Sequence, residues 1–360
     1  MLTFLDHLAR GVLYRLDPET GHALALRALA VFPFLWAASD PAELAVEALG
    51  LRFSNPLGTA AGFDKNGEAV DAVPRAGFGF AEVGTVTPLP QEGNSRPRLF
   101  RLPADRGVIN RMGFNNHGHA AMRARLARTG GIVGVNLGAN KDSSDRAGDY
   151  AAGISAFAAV ASYFAVNVSS PNTPRLRDLQ QASALDELLA RVMEAREGLV
   201  PEHRRPVLLK IAPDLALGDL DDIVEVARRR CIDGMIISNT TVTRPPSLIE
   251  RRIAEEAGGL SGPPVFRLST RMLAETFIRA EGAFPLVGVG GIDSGETAWA
   301  KIGAGATLIQ LYTGLVYRGF GLVREIKQHL SVALRGNHLA SIAAAVGRDA
   351  RAITAEPWPD

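Results

Sequence analysis

The chain has 360 residues, 47% hydrophobic and 21% charged, with a formal net charge of +1. That length can bury a large core, as two domains or as one barrel with appendages, and the near-neutral balance excludes an overall pull toward nucleic acid or an acidic surface. The single cysteine, Cys231, excludes an internal disulfide and a cysteine metal cluster, fits a reducing compartment, and is expected in the core.

Residues 2–14 place Leu2, Leu5, Leu8, Val12 and Leu13 at helical spacing behind a capping box of Thr3 and Asp6. Asp17-Pro18-Glu19-Thr20 then supplies an N-cap, a proline at the first helical position and an acid in the first turn, predicting a second helix through about Ala30. An aromatic cluster, Val31 to Trp36, follows in a chain that is only 6% aromatic. Asp6, His7 and Arg10 interrupt any signal-peptide core, and no run reaches the roughly 20 apolar residues that span a bilayer. A packed helical hairpin remains, or a pair lying in a membrane interface. Taken alone, the residues favour the packed hairpin.

From residue 46 the pattern changes. Val46 to Phe53 resembles a short hairpin, and then apolar runs alternate with segments of helical period. The runs are Leu57–Ala61, Phe80–Val86, Gly131–Leu137, Tyr163–Val168, Val207–Ile211, Met235–Ser238, Leu286–Val289 and Thr307–Leu311. Helical segments between them include 118–127, 185–198, 220–230, 265–280 and 296–302. Buried-looking strands alternating with helices predict parallel pairing, and eight units close a TIM (β/α)8 barrel. An open doubly wound sheet would want its glycine-rich loop after the first strand, whereas the densest glycine motif here follows the seventh. The expected organisation is a helical subdomain over 1–40, a barrel over 41–335, and a partly disordered tail over 336–360 that ends in Pro357-Trp358-Pro359-Asp360.

Catalytic groups of such a barrel collect at the carboxyl ends of its strands. Here those ends read Ala60-Ala61-Gly62-Phe63-Asp64-Lys65, Gly84-Thr85-Val86-Thr87, Asn136-Leu137-Gly138, Asn167-Val168-Ser169-Ser170-Pro171-Asn172, Lys210, Ser238-Asn239-Thr240-Thr241, Gly288-Val289-Gly290-Gly291 and Tyr312-Thr313-Gly314. Any one of them could be a polar turn satisfying its own backbone. Eight together favour chemistry. The glycines after strand seven, Tyr312-Thr313-Gly314, and Gly259 to Gly262 after strand six suit a phosphate better than simple close packing. Five of the 39 basic residues are lysines, so Lys65 and Lys210, each beside an apolar run, are informative. No His or acid set has metal-ligand spacing at these ends, so no metal is expected. A flavin mononucleotide (FMN) fits, with Lys210 beside the ring edge that becomes anionic on reduction. A Schiff-base lyase using Lys210 is the chemical rival.

Ala61-Gly62-Phe63-Asp64-Lys65, Gly84 to Pro88, Pro97 to Arg101, Asn110-Arg111-Met112-Gly113-Phe114-Asn115-Asn116, Asn167 to Pro174, Ser238 to Thr241 and Gly288 to Gly291 together resemble dihydroorotate dehydrogenase, in order and through about residue 330. The N-terminal hairpin, and serine in place of cysteine in the motif, resemble its membrane-associated, quinone-reducing class. The resemblance implies that Ser170 takes the C5 proton of dihydroorotate as hydride leaves C6 for the flavin, with Thr173 and Phe114 framing the proton relay. It implies substrate contacts from Lys65, Asn110, Arg111, Met112, Gly113, Phe114, Asn167, Asn172, Asn239 and Thr240. FMN contacts are implied for Ala61, Gly62, Lys65, Thr85, Asn136, Asn167, Lys210, Ser238, Gly262, Gly291, Tyr312 and Thr313.

By the same resemblance the helical pair becomes a quinone funnel on the cytoplasmic side of the cell membrane, peripherally attached, with His22 and Arg101 near the quinone path. Another FMN-dependent barrel oxidoreductase is the alternative. Two positions depart from the family pattern: Arg175 stands where glycine is usual, and Ala139 where lysine is common.

Overall fold

The computed structural model describes residues 11, 13–31 and 39–359. Most of the predicted first helix and the aromatic run from Phe32 to Trp36 lie outside the described residues. The second helix, α1 (Pro18–Val31), begins where its cap predicts, with Thr20 N donating to Asp17 Oδ1 at 2.9 Å.

Eight parallel strands close a barrel in chain order: β1 (Leu57–Asp64), β2 (Phe80–Val86), β3 (Val133–Leu137), β4 (Tyr163–Asn167), β5 (Val207–Ile211), β6 (Gly234–Ile237), β7 (Leu286–Val289) and β8 (Ala306–Leu311). Ile309 opposite Leu57 closes the ring. Every residue of β2 through β7 is buried, which is why these strands read as continuous apolar runs and not as alternation. Outer helices bury one stripe each; Leu217–Arg229 covers Leu220, Ile223, Val224 and Ala227 at helical spacing.

At the amino end of the barrel, Val46–Ala48 and Leu51–Phe53 form the expected hairpin. Its two turn residues, Leu49 and Gly50, both have positive φ, the two-residue turn that matches strand twist. Phe53 is fully buried there, edge-on to Phe80 at 5.2 Å. At the carboxyl end a three-stranded antiparallel sheet, Leu99–Leu102, Gly107–Asn110 and Gly259–Ser261, stands over the mouth. Leu102, Ile109, Leu248, Ala254 and Leu260 give it a small core of its own. The sequence reading treats its segments as motifs only.

Two expectations are corrected. Cys231 is exposed, because the helix ends at Arg229 and Cys231 takes a left-handed φ of 52° that leaves Ile232 to fill the core. The tail is ordered: Ile342–Ala345 and Ala350–Ala355 are helical, and Ile342, Ala345 and Ala350 are buried. Arg271 donates to the carbonyls of Ile353, Thr354 and Glu356, the orphan acceptors at the end of the last helix, and stacks on Trp358.

Candidate active site

A cavity of about 840 Å³ runs from the strand ends to the underside of α1. Its floor is built by β2, β3 and β4. Asn167 donates to Thr85 Oγ1 (2.9 Å) and Asn136 Oδ1 (3.1 Å) and accepts from Ser169 Oγ (2.8 Å) and Asn239 Nδ2 (3.4 Å). Both amide hydrogens are therefore committed, and Asn167 is the hub that sets its neighbours' orientation. Thr85 lines the cavity, while Asn136 lies beneath it, donating to Glu82 at 2.8 Å.

Glu82 escaped the sequence reading. It is fully buried inside the barrel, accepts from Tyr163 and Gln310, and sits 3.6 Å from Lys210 Nζ. A lone acid within the apolar run Phe80–Val86, and a lone amide within Ala306–Leu311, were the available signals. A buried charge of this kind is retained only with partners. Arg177 also went unrecognised. Its guanidinium reaches Ser169 O, Asp214 and Thr240 O, tying the loops after β4, β5 and β6 together.

Ser170 lines the cavity, and its Oγ accepts from Asn172 N at 3.3 Å. Phe114, Asn110, Met112, Gly113, Asn172, Asn239 and Thr240 line the same wall, and Asn172 donates to Asn110 Oδ1 at 3.2 Å. Thr173 is buried but outside the wall. Arg111 also lies outside it: its guanidinium is paired with Glu256 and stacked on Phe100. Arg175 keeps a left-handed φ of 57°, so the loop retains the conformation that glycine would give it.

Lys65 stands between this wall and α1, donating to Gly62 O at 3.2 Å. Burial pulls its ammonium down to about 8, against the raising pull of Glu19. Ala61, Gly62, Lys210, Ser238, Gly262, Gly291, Tyr312 and Thr313 also line the cavity. A side chain at Gly291 (φ 77°) would meet Phe266 at 2.4 Å, and one at Gly262 would meet Arg106 O at 2.5 Å, so backbone alone fits there. With the buried Gln310 Oε1, which has no partner among the described residues, in the wall and Lys210 at the floor, the donor set and the bare backbone fit an FMN.

Toward α1 the lining turns apolar: Ala25, Ala28, Leu29, Phe63, Leu99, Val108 and Phe320. His22 sits at this boundary. Its Nε2 must donate to Phe63 O (2.8 Å), since a carbonyl only accepts, which leaves Nδ1 to accept from Tyr312 Oη (3.4 Å). Burial, reinforced by Lys65, pulls His22 down to about 4, so the ring is neutral. Arg101 lines the cavity, but its guanidinium donates to the carbonyls of Tyr14 and Leu16 and covers the Tyr14 ring. Glu19 in the first turn of α1 pairs with the buried Arg98 at 2.6 Å. The N-terminal end of the helix is thus fastened over the cavity twice, by the Glu19–Arg98 pair and by Arg101's capture of the carbonyls just before it.

Among the described residues no helix is long and apolar enough to cross a membrane. Residues 43–334 match the model of a family described as dihydroorotate dehydrogenase. A relative from Rhodopseudomonas palustris (strain TIE-1), named dihydroorotate dehydrogenase (quinone), is 61% identical over the whole length of both chains. One of the same name from Bradyrhizobium diazoefficiens is 60% identical with the same coverage. Among solved structures, Eimeria tenella DHODH in complex with ferulenol superposes with a TM-score of 0.89 at 36% identity, covering 94% of this chain and 98% of that one. With a closed barrel, a polar strand-end site and full-length relatives of one name, the chain belongs to the dihydroorotate dehydrogenase family.

Proposed function

We propose that the protein oxidises dihydroorotate to orotate in pyrimidine biosynthesis and passes the electrons to a membrane quinone. The observation that carries this reading is one continuous cavity with hydrogen-bonding groups at one end and an apolar lining at the other. FMN held there by Ala61, Gly62, Thr85, Lys210, Ser238, Gly262, Gly291, Tyr312 and Thr313 would supply the hydride acceptor for one substrate and the donor for the next.

The chain's own groups do the remaining work. Asn110, Asn172, Asn239 and Thr240 offer the donors and acceptors a planar pyrimidine needs on its amide edges. Lys65, cationic below about pH 8, faces the substrate carboxylate. Ser170 Oγ removes the proton at C5. A serine hydroxyl is a weak base alone, so Thr173 behind it serves as the relay and Phe114 excludes bulk water. Arg177 holds the loop that carries Ser170 in register with the β6 loop. Glu82 and Asn136 fix Lys210 and Thr85 from below.

On the α1 side, His22 and Tyr312 form a neutral hydrogen-bonded pair beside an apolar lining suited to a quinone ring and tail. Arg101 positions the inter-helix turn that roofs this end. Attachment is peripheral, on the cytoplasmic side of the cell membrane, through apolar contact by the N-terminal segment that includes α1.

The test is to follow the flavin absorbance of the purified full chain in two half-reactions. Anaerobic dihydroorotate should bleach it and a soluble quinone should restore it. A colourless protein would instead favour a Schiff-base lyase using Lys210.

A further inference from the structure

Lys301 is a buried titratable group whose chemistry the reaction does not use. Its side chain is fully buried in the helix after β7 (Gly295–Gly303), with its Cβ 3.5 Å from where a side chain at Gly288 would begin. Lysine is almost never buried this completely without an acid beside it. Among the described residues its Nζ has one hydrogen-bond partner, Ser269 Oγ at 2.6 Å, and otherwise faces the Phe266 ring at 5.2 Å. Burial alone drives its ammonium well below the ordinary lysine value, with no carboxylate opposing the shift. The protein by itself therefore provides no counter-charge for this amine, and its charged form is costly until an anion arrives.

The hydrogen bonds beyond Lys301 lead to the cavity. Ser269 Oγ accepts from Lys301 and has the carbonyls of Gly290 and Phe266 within 3.1 Å as acceptors for its own proton. The Gly290–Gly291 peptide is not among the cis bonds, so its N–H lies on the edge opposite the carbonyl that faces Ser269. Gly290 and Gly291 both line the cavity, and among the described residues the Gly291 N–H has no hydrogen-bond partner. The glycines pack so closely on Ser269 and Phe266 that no side chain could intervene: Cβ atoms at 290 and 291 would lie 2.8 Å and 2.4 Å from them.

We propose that Lys301 is the buried counter-charge of a phosphate bound at the Gly290–Gly291 loop, acting through Ser269 and the Gly290–Gly291 peptide to polarise the Gly291 N–H toward that anion. Lys301 is thus a positioning residue, touching neither cofactor nor substrate. The inference rests on the reading of the cavity as an FMN site, and deepens it by naming where the compensating charge sits. A helix-borne cation behind a glycine loop acts across a low-dielectric wall, where its field is screened far less than in water.

The experiment compares two flavins that differ by the phosphate. Full-length Lys301→Met and Lys301→Gln proteins are stripped and titrated with FMN and with riboflavin, following flavin fluorescence, beside the wild type. Both variants should bind FMN about tenfold more weakly or worse, the scale of a charge lost at low dielectric. Riboflavin affinity should stay as in the wild type. The flavin-free melting temperature of Lys301→Met should be equal or higher, because a buried amine with no charged partner has been replaced by an apolar side chain of similar length. Lys301→Gln keeps a donor for Ser269 and covers the case in which Met does not pack. Equal losses for both flavins, or no loss for either, would overturn the proposal. A wild-type protein that takes up neither flavin would instead overturn the FMN reading beneath it.

Discussion

The two ends of the cavity are built from different materials. At the barrel floor Asn167, Thr85, Asn136, Ser169, Asn239 and Glu82 form a single hydrogen-bonded web in which nearly every donor is committed to a protein acceptor. Under α1 the wall is Ala25, Ala28, Leu29, Phe63 and Leu99, with His22 and Tyr312 as its polar pair. Above this web Asn110, Asn172 and Thr240 face the ligand, and a wrong one leaves such groups unpaired, at about 1–3 kcal/mol each, so that end discriminates sharply. The apolar end gains only about 25 cal/mol per Å² covered, with little directional preference, so it tolerates varied tails. One cavity can then be strict toward a small polar substrate and permissive toward a large apolar one.

The sharpest way to break this comparison is at Ser170. Ser170→Ala should keep the bound flavin colour yet slow its anaerobic bleaching by dihydroorotate by about 10²–10⁴-fold at neutral pH, the usual worth of a positioned base. Reoxidation by quinone should be unchanged, and a wild-type bleaching rate in stopped flow would remove Ser170 from the chemistry.

Deletion of residues 1–38, which spares the Asp40–Lys327 pair, should produce the mirror image. Quinone reoxidation falls by about tenfold or more as the apolar roof is lost, while bleaching stays within about threefold. Equal loss of both half-reactions would mean that the two ends are not separable.

The boundary between them should report pH. Lys65 in the free protein titrates at about 8, so its ammonium is charged below that value and lost above it. Because the ligand is an anion, the KM for dihydroorotate should be flat below about pH 8 and rise by up to about tenfold per unit above it. Lys65→Met should remove the break; a KM profile that keeps it would assign the titration elsewhere. Smallest is the effect of Arg175→Gly. Arg175 holds φ 57° on an exposed loop, and relieving that strain should raise stability by up to about 1 kcal/mol in a urea titration, with both half-reactions unaltered. A loss of stability would mean that the Arg175–Asp178 contact matters more than the backbone does.

Much of this was legible in the chain. The eight strands fall within a few residues of their apolar runs, since strands buried on both faces leave an uninterrupted signal. The Asp17 cap gave the start of α1 correctly because capping is local chemistry. The strand-end residues are brought together by closure of the barrel, and most of those anticipated line one cavity.

What sequence reading could not reach depends on distance. Glu82 and Gln310 are 228 positions apart, and their contact, like that of Arg177 with Asp214, exists only because strands far apart in the chain share one interior. Cys231 reads as a small apolar residue near a strand, yet one left-handed residue at a helix end turns it to solvent. The tail lacks a strong apolar period and reads as loose, but Arg271 collects its terminal carbonyls. The sequence by itself determined the barrel, the polar strand ends and the family, because period, caps and motifs are local. Tertiary structure alone decided which charges are compensated and by whom, because electrostatics inside a barrel is set by neighbours across the ring and not along the chain.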